Sequence, residues 1–231
     1  MMLAPDINLE IPLRIVIAGG QDTIRSAIRS AAERAGFAIA GVCGDGASAT
    51  ATVVRERAHL CLIAAGLPRA DEAVVAIASL PLAPKVVVLG SAKDGEVFFD
   101  ALALGAAGCL LDDMEPARLA DELRTVAEGG MALAPAVAGR LIDDLRSRRH
   151  STPPGALTDR EWDALELVAR GLTTTEIAVR LRVSPTAVRR HVSSAVRQVV
   201  SARPRDTSVA NPGWPCSPGR ARPGSGKRGR V

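Results

Sequence analysis

Unbroken apolar runs alternate with stretches of helical periodicity through the first half of the chain. The runs at 13–18, 38–42, 60–64, 85–89 and 108–111 are four to six residues long. Continuous apolarity suits strands covered on both faces, and the spacers 22–35, 47–57, 71–79, 94–104 and 116–128 have the length of right-handed crossover helices. The pattern predicts an α/β doubly wound, five-stranded parallel sheet over residues 1–133. In such sheets a site forms at the carboxyl ends of the strands. Here those ends carry Gly19 and Gly20, Ala64 to Gly66, Gly90 and Ser91, and Asp112 and Asp113.

The pattern changes after Gly129 and Gly130. Residues 135–149 read as a connector helix with an apolar face of Val137, Leu141, Ile142 and Leu145, and the Pro153–Pro154 pair stops it, so 134–156 form a linker helix and Pro-rich hinge. Three helical segments then follow at short intervals over 157–200. Thr158 with Glu161 spells a capping box for a helix with Trp162, Leu165, Leu167 and Val168 on its apolar face, closed by Gly171. Thr173 with Glu176 repeats the device for a helix carrying Ile177, Ala178 and Leu181. Ser184 followed by Pro185 starts a third, through Val188, Val192, Ala195 and Val196. Helix, short turn, helix predicts an all-α helix-turn-helix domain.

Charge separates these parts. The net charge of +4 divides into −7 for residues 1–145 (12 basic against 19 acidic), +5 for 146–200 (10 against 5) and +6 for 201–231 (7 against 1). The charge that argues for nucleic acid is the local excess around Arg189 and Arg190. Three Phe, two Trp and no Tyr leave few residues for a base-stacking platform, which argues against single-strand recognition. The opening MMLAPDINLE lacks a basic region, and the most apolar stretch, 73–90, is interrupted by Pro81, Pro84 and Lys85. No signal peptide or membrane span is expected, and the location expected is cytoplasmic. Cys43, Cys61, Cys109 and Cys216 are far apart and form no metal-ligand spacing, so buried free thiols are expected and no metal or cofactor. No Ser-His-Asp or His-metal constellation is present, so the chain does not read as an enzyme.

Over roughly its first 130 residues the sequence resembles the receiver domain of bacterial response regulators, in LRIVIAGG, HLCLIAAGLP, KVVVLGSAKD and ALALGAAGCLLDD. The resemblance implies an acidic pair, an Asp phosphoacceptor, a Thr or Ser and a Lys at the strand ends. This chain has Gly19 and Gly20, Ala64, Gly90 with Ser91, and Asp112 there instead. An alanine methyl cannot attack phosphorus, and an Asp in place of the Lys repels a phosphoryl group. A receiver without Asp phosphorylation is expected, serving dimerisation or sensing of a small-molecule or protein signal. Gly19 and Gly20 leave room for an anion, but GGQDTI is not a dinucleotide fingerprint and a relaxed loop is expected. Asp112 and Asp113 read as a solvated turn rather than a cation site, since no other carboxylate lies at those strand ends.

Residues 157–198, LTDREWDALELVARGLTTTEIAVRLRVSPTAVRRHVSSAVRQ, resemble the LuxR-type DNA-binding domain, and the whole resembles a NarL-like response regulator. The resemblance implies a transcription regulator that binds double-stranded DNA as a homodimer, with a recognition helix at about 184–198 in the major groove. Arg189 and Arg190 project about 100° apart, so that one reaches a base edge while the other grips phosphate. Ser193 is a further groove candidate. Thr173, Thr174 and Thr175 offer hydroxyls and N–H groups to phosphate, and Arg197 offers charge. His191 is expected to pack or to contact the DNA backbone.

The family's fourth helix has no counterpart in 201–231, where five Pro and five Gly forbid a helix of useful length. A basic disordered tail is expected, either a genuine phosphate-attracting device or the product of a frameshift in a GC-rich gene. Loss of about four buried aliphatic side chains, at roughly 1.5–3 kcal/mol each, weakens a small domain. The alternative function is therefore a dimerising or ligand-sensing pseudo-receiver whose truncated DNA-binding domain is inactive.

Overall fold

The computed structural model describes residues 12–19, 22–81, 84–148 and 157–201. The elements run β1 (Leu13–Ala18), α1 (Asp22–Arg34), β2 (Phe37–Cys43), α2 (Gly46–Glu56), β3 (Leu60–Ala64), α3 (Ala70–Ala78), β4 (Lys85–Gly90), α4 (Gly95–Ala103), β5 (Gly108–Leu111) and α5 (Pro116–Ala127). They continue through β6 (Ala132–Leu133), α6 (Pro135–Arg148), α7 (Asp159–Ala169), α8 (Thr174–Leu181) and α9 (Pro185–Ser201). The sheet order is β2-β1-β3-β4-β5-β6 and every pairing is parallel.

The strand assignments match the apolar runs, and one expectation is corrected: the sheet has six strands, not five. Ala132 and Leu133 pair with Gly108 and Cys109. Gly108 makes the approach possible, because a Cβ there would stand 2.7 Å from the Ala132 carbonyl oxygen.

Side chains alternate across the pleat and build two cores. Ile15, Ile17, Leu60, Leu62, Val87, Leu89 and Leu110 face α1 and α5. On the other face, Val16, Cys61, Ile63, Val86, Val88 and Cys109 belong to a cluster that does not stop at the receiver. It continues through Val137, Leu141 and Ile142 of α6 into Leu165, Ile177, Val188, Val192, Val196 and Val199 of α7 to α9. Thus α6 is wedged between α4 and α7, fixed by polar contacts at both ends. Arg140 pairs with Glu96 and lies 5.6 Å over the Phe99 ring; Arg146 pairs with Glu166 at 3.3 Å and lies 5.8 Å over Trp162. Ala164, Leu165 and Leu167 of α7 and Val188, Val192, Val196 and Val199 of α9 are buried, and α6 packs along α7, while Val179 of α8 stays 77% exposed. The tail 202–231, the hinge 151–156 and Gly20 lie outside the described residues.

Candidate nucleic-acid interface

The three helices of the C-terminal unit are set by their caps. Thr158 and Thr173 each accept a hydrogen bond from the backbone N–H three residues on, and Glu161 and Glu176 reach back to the cap N–H, so both expected capping boxes form. Gly171, at φ +85°, ends α7 in the left-handed region that glycine tolerates. The turn between α8 and α9 passes through Arg182, at φ 54°. Ser184 then accepts from the Ala187 N–H and Pro185 opens α9.

Helical spacing places Val188, Val192, Ala195, Val196 and Val199 inward, each at most 3% exposed. The expected contact residues divide into two groups. Thr175, Arg190 and Arg197 are exposed. Arg189 retains only 17% side-chain exposure: it pairs with Glu128 at 2.8 Å and donates to Thr186 Oγ1 at 3.0 Å. Ser193, one turn further on the same face, is 6% exposed. The expected groove contact Ser193 is thus buried in this arrangement. Thr174 lines an interdomain cavity, and the Thr173 hydroxyl donates to Glu176 Oε2 at 2.8 Å. His191 is half-buried.

The covering surface comes from the end of α5 and the loop after it. Besides Glu128, Gly130 lies directly under Arg189: a Cβ at Gly130 would stand 2.5 Å from Arg189 Cδ and 2.8 Å from Cγ. Arg118 of α5 donates to the Gly171 carbonyl at 3.0 Å. Sequence reasoning did not find Glu128, Gly130 or Arg118, since nothing local to them marks a docking surface.

At the receiver's strand ends, Gly19 and Ala64 face one another closely; a Cβ at Gly19 would sit 3.2 Å from Ala64 Cβ. Phe98, 1% exposed, comes within 3.2 Å of where a Gly90 Cβ would be. The Ser91 N–H and hydroxyl both donate to Asp94, at 2.7 and 2.9 Å, while Asp112 and Asp113 are exposed.

A doubly wound parallel domain joined through a helix to a helix-turn-helix unit is the architecture of response regulators that act on DNA. Residues 155–199 match the family of bacterial regulatory proteins, luxR family. YxjL, an uncharacterized transcriptional regulatory protein of Bacillus subtilis, is 28% identical over 204 residues, covering 85% of this chain and 93% of its own. The probable transcriptional regulatory protein NarL of Mycobacterium tuberculosis is 28% identical over 183 residues, covering 78% and 84%. The RcsB response regulator of Salmonella typhimurium shares the fold at TM-score 0.51 and 19% identity, covering 81% of this chain and 92% of its own. A structure of two RcsB dimers bound to two parallel DNAs does so at TM-score 0.51 and 20% identity, covering 82% and 92%. In architecture, in the matched segment and along near full-length relatives, the chain is similar to the LuxR-type response regulators of the NarL kind.

Proposed function

We propose that the chain regulates transcription by binding double-stranded DNA through α9, and that its receiver works without Asp phosphorylation. The observation that carries the first part is the luxR-family segment at 155–199, whose third helix holds Arg190 and Arg197 in solvent. An α-helix of this kind fits the major groove, where a guanidinium reads guanine O6 and N7 in bidentate fashion. The DNA-bound dimers of the fold relative RcsB support a duplex partner and a homodimer. Among the described residues no helix is long and apolar enough to cross a membrane.

The second part rests on Ala64, whose methyl group supplies no nucleophile, and on the pocket around it. Gly19 brings no carboxylate for a metal and Asp112 brings repulsion where a phosphoryl group needs a cation. Communication between domains then depends on how tightly α9 docks on the receiver. In the closed arrangement Arg189 and Ser193 are unavailable to DNA while Arg190 and Arg197 remain open, so productive binding requires α9 to leave Glu128 and Gly130. A gel shift on promoter fragments, with salt titration, tests the first part; specific, salt-sensitive retardation is expected, and its absence refutes it. Incubation with radiolabelled acetyl phosphate tests the second, and acid-labile label in residues 1–130 would overturn it.

A further inference from the structure

The helices α2 and α3 pack side by side on the receiver. Each links two parallel strands, so they run in the same direction, and their starts meet at Gly46. The Gly46 N–H donates to the Pro68 carbonyl at 2.9 Å, and a Cβ at Gly46 would stand 2.1 Å from the Arg69 carbonyl oxygen.

The outer surface of this pair is apolar along its length. From Gly46 to Val54 α2 has no charged residue, and from Ala73 to Ala78 α3 has none. Helical spacing puts Ala47, Ala51 and Val54 on the solvent side of α2, and Val75 and Ala76 lie on that of α3. All are exposed, Val54 at 54% and Val75 at 43%. The solvent face of a surface helix ordinarily carries polar and charged residues, and an apolar patch spread over two such helices marks a contact surface.

Charge is confined to the ends of the face, and the two ends have opposite sign. Where the helices begin, the acids Asp45, Asp71 and Glu72 outnumber Arg69, which pairs with Glu72 and attracts Asp45. Where α2 finishes, Arg14, Arg55 and Arg57 outnumber Glu56, which pairs with Arg14 at 2.6 Å and with Arg55 at 3.0 Å. The hydrogen bond from Arg69 holds the Glu72 carboxyl low, and those from the Ser48 N–H and hydroxyl do the same for Asp45.

We propose that the α2–α3 face is the contact between two copies of this chain, related by a two-fold axis that lays the helices of one protomer antiparallel on those of its partner. The proposal rests on the homodimer reading above and names its interface.

A two-fold contact sets one patch against itself, so the patch must be self-complementary. The antiparallel arrangement meets that demand, since the acidic start of each face falls on the basic finish of the other, and helix N-termini lie beside helix C-termini. Turning one copy around would oppose like charges at both ends. A partner surface of a single sign is repelled at one end of the face, which favours a second copy over such a partner. On the same side of the sheet α4 is taken up by α6 and α9, so the neighbouring α2 and α3 are left for a contact outside the chain.

The test is sedimentation equilibrium of the full chain, with circular dichroism to verify folding, for the wild type, Val54→Glu, Arg55→Glu, and Arg55→Glu combined with Glu72→Arg. A dimer is expected for the wild type. Each single substitution should raise the dimer dissociation constant about tenfold or more, because it enters the interface twice, and the combined exchange should recover most of the affinity. Dimers of unchanged affinity in both single variants overturn this face and leave the homodimer reading standing. Weakened single variants without recovery on charge exchange overturn the antiparallel arrangement proposed. A wild-type chain that stays monomeric, both free and on duplex DNA, overturns the interface and the homodimer together and leaves the face to a different protein.

Discussion

Replacing Gly130 by Ala adds one methyl group at the place where the receiver meets the recognition helix. That methyl would lie 2.5 Å from Arg189 Cδ, 2.8 Å from Arg189 Cγ and 2.9 Å from Thr125 Cγ2, all too close for carbon atoms in contact. The Arg189 atoms belong to the middle of its side chain, and its far end is held by Glu128 and Thr186, so yielding means breaking the 2.8 Å ion pair or lifting α9. Overpacking of this kind costs about 1–3 kcal/mol. The Thr125 contact lies within the receiver and burdens both forms, whereas the Arg189 clash exists only when the domains are closed, so the Arg189 share of the cost shifts the equilibrium toward the open form, by at most about 150-fold. Gly130 lies on the receiver, outside the recognition helix, so a change in DNA affinity reports the docking equilibrium. Anisotropy titration on one duplex for wild type and Gly130→Ala, with circular dichroism to verify folding, reads the effect. Tighter DNA binding by the variant is expected. A folded variant with unchanged affinity and unchanged radius of gyration would show that the receiver does not restrain α9.

Other perturbations test the packing and the caps. Leu141, fully buried on α6 within the cluster shared by both domains, should cost about 2–5 kcal/mol on truncation to Ala, in a single urea transition seen alike by circular dichroism and Trp162 fluorescence. Two separated transitions would contradict the shared core. Thr158→Ala removes a cap that accepts from the Glu161 N–H and should destabilise the chain by about 0.5–2 kcal/mol in the same assay. Burial opposes the charge on Glu161, but hydrogen bonds from Ser194, Thr158 and Gln198 outweigh it and hold the carboxyl below its ordinary 4.5. Its contribution to stability is therefore present above that range and lost as pH falls below it. Melting curves between pH 3 and 7 should show a smaller acid loss for Glu161→Gln; parallel curves would refute the assignment.

The parallel strands were legible because burial on both faces leaves four or more apolar residues in succession, as in VVVL of β4. The helix-turn-helix boundaries were legible because Thr158, Thr173 and Ser184 each leave a capping signal within a few residues. β6 left none: two residues, Ala132 and Leu133, are too few to carry a period, and their pairing depends on a glycine across the sheet. The helix period placed Arg189 and Ser193 on one face of α9 but carried no information about what lies against it. A polar face docked on another domain and a polar face in water have similar sequences.

Selection of duplexes from a random pool by the full chain, followed by titration of the selected site with wild type and Arg190→Ala, tests the DNA-binding claim most directly. The account predicts enrichment of a defined sequence, affinity that falls as salt rises, and a loss of about 1–3 kcal/mol on removing Arg190. A pool that remains random, or a selected site bound equally well without Arg190, would contradict it.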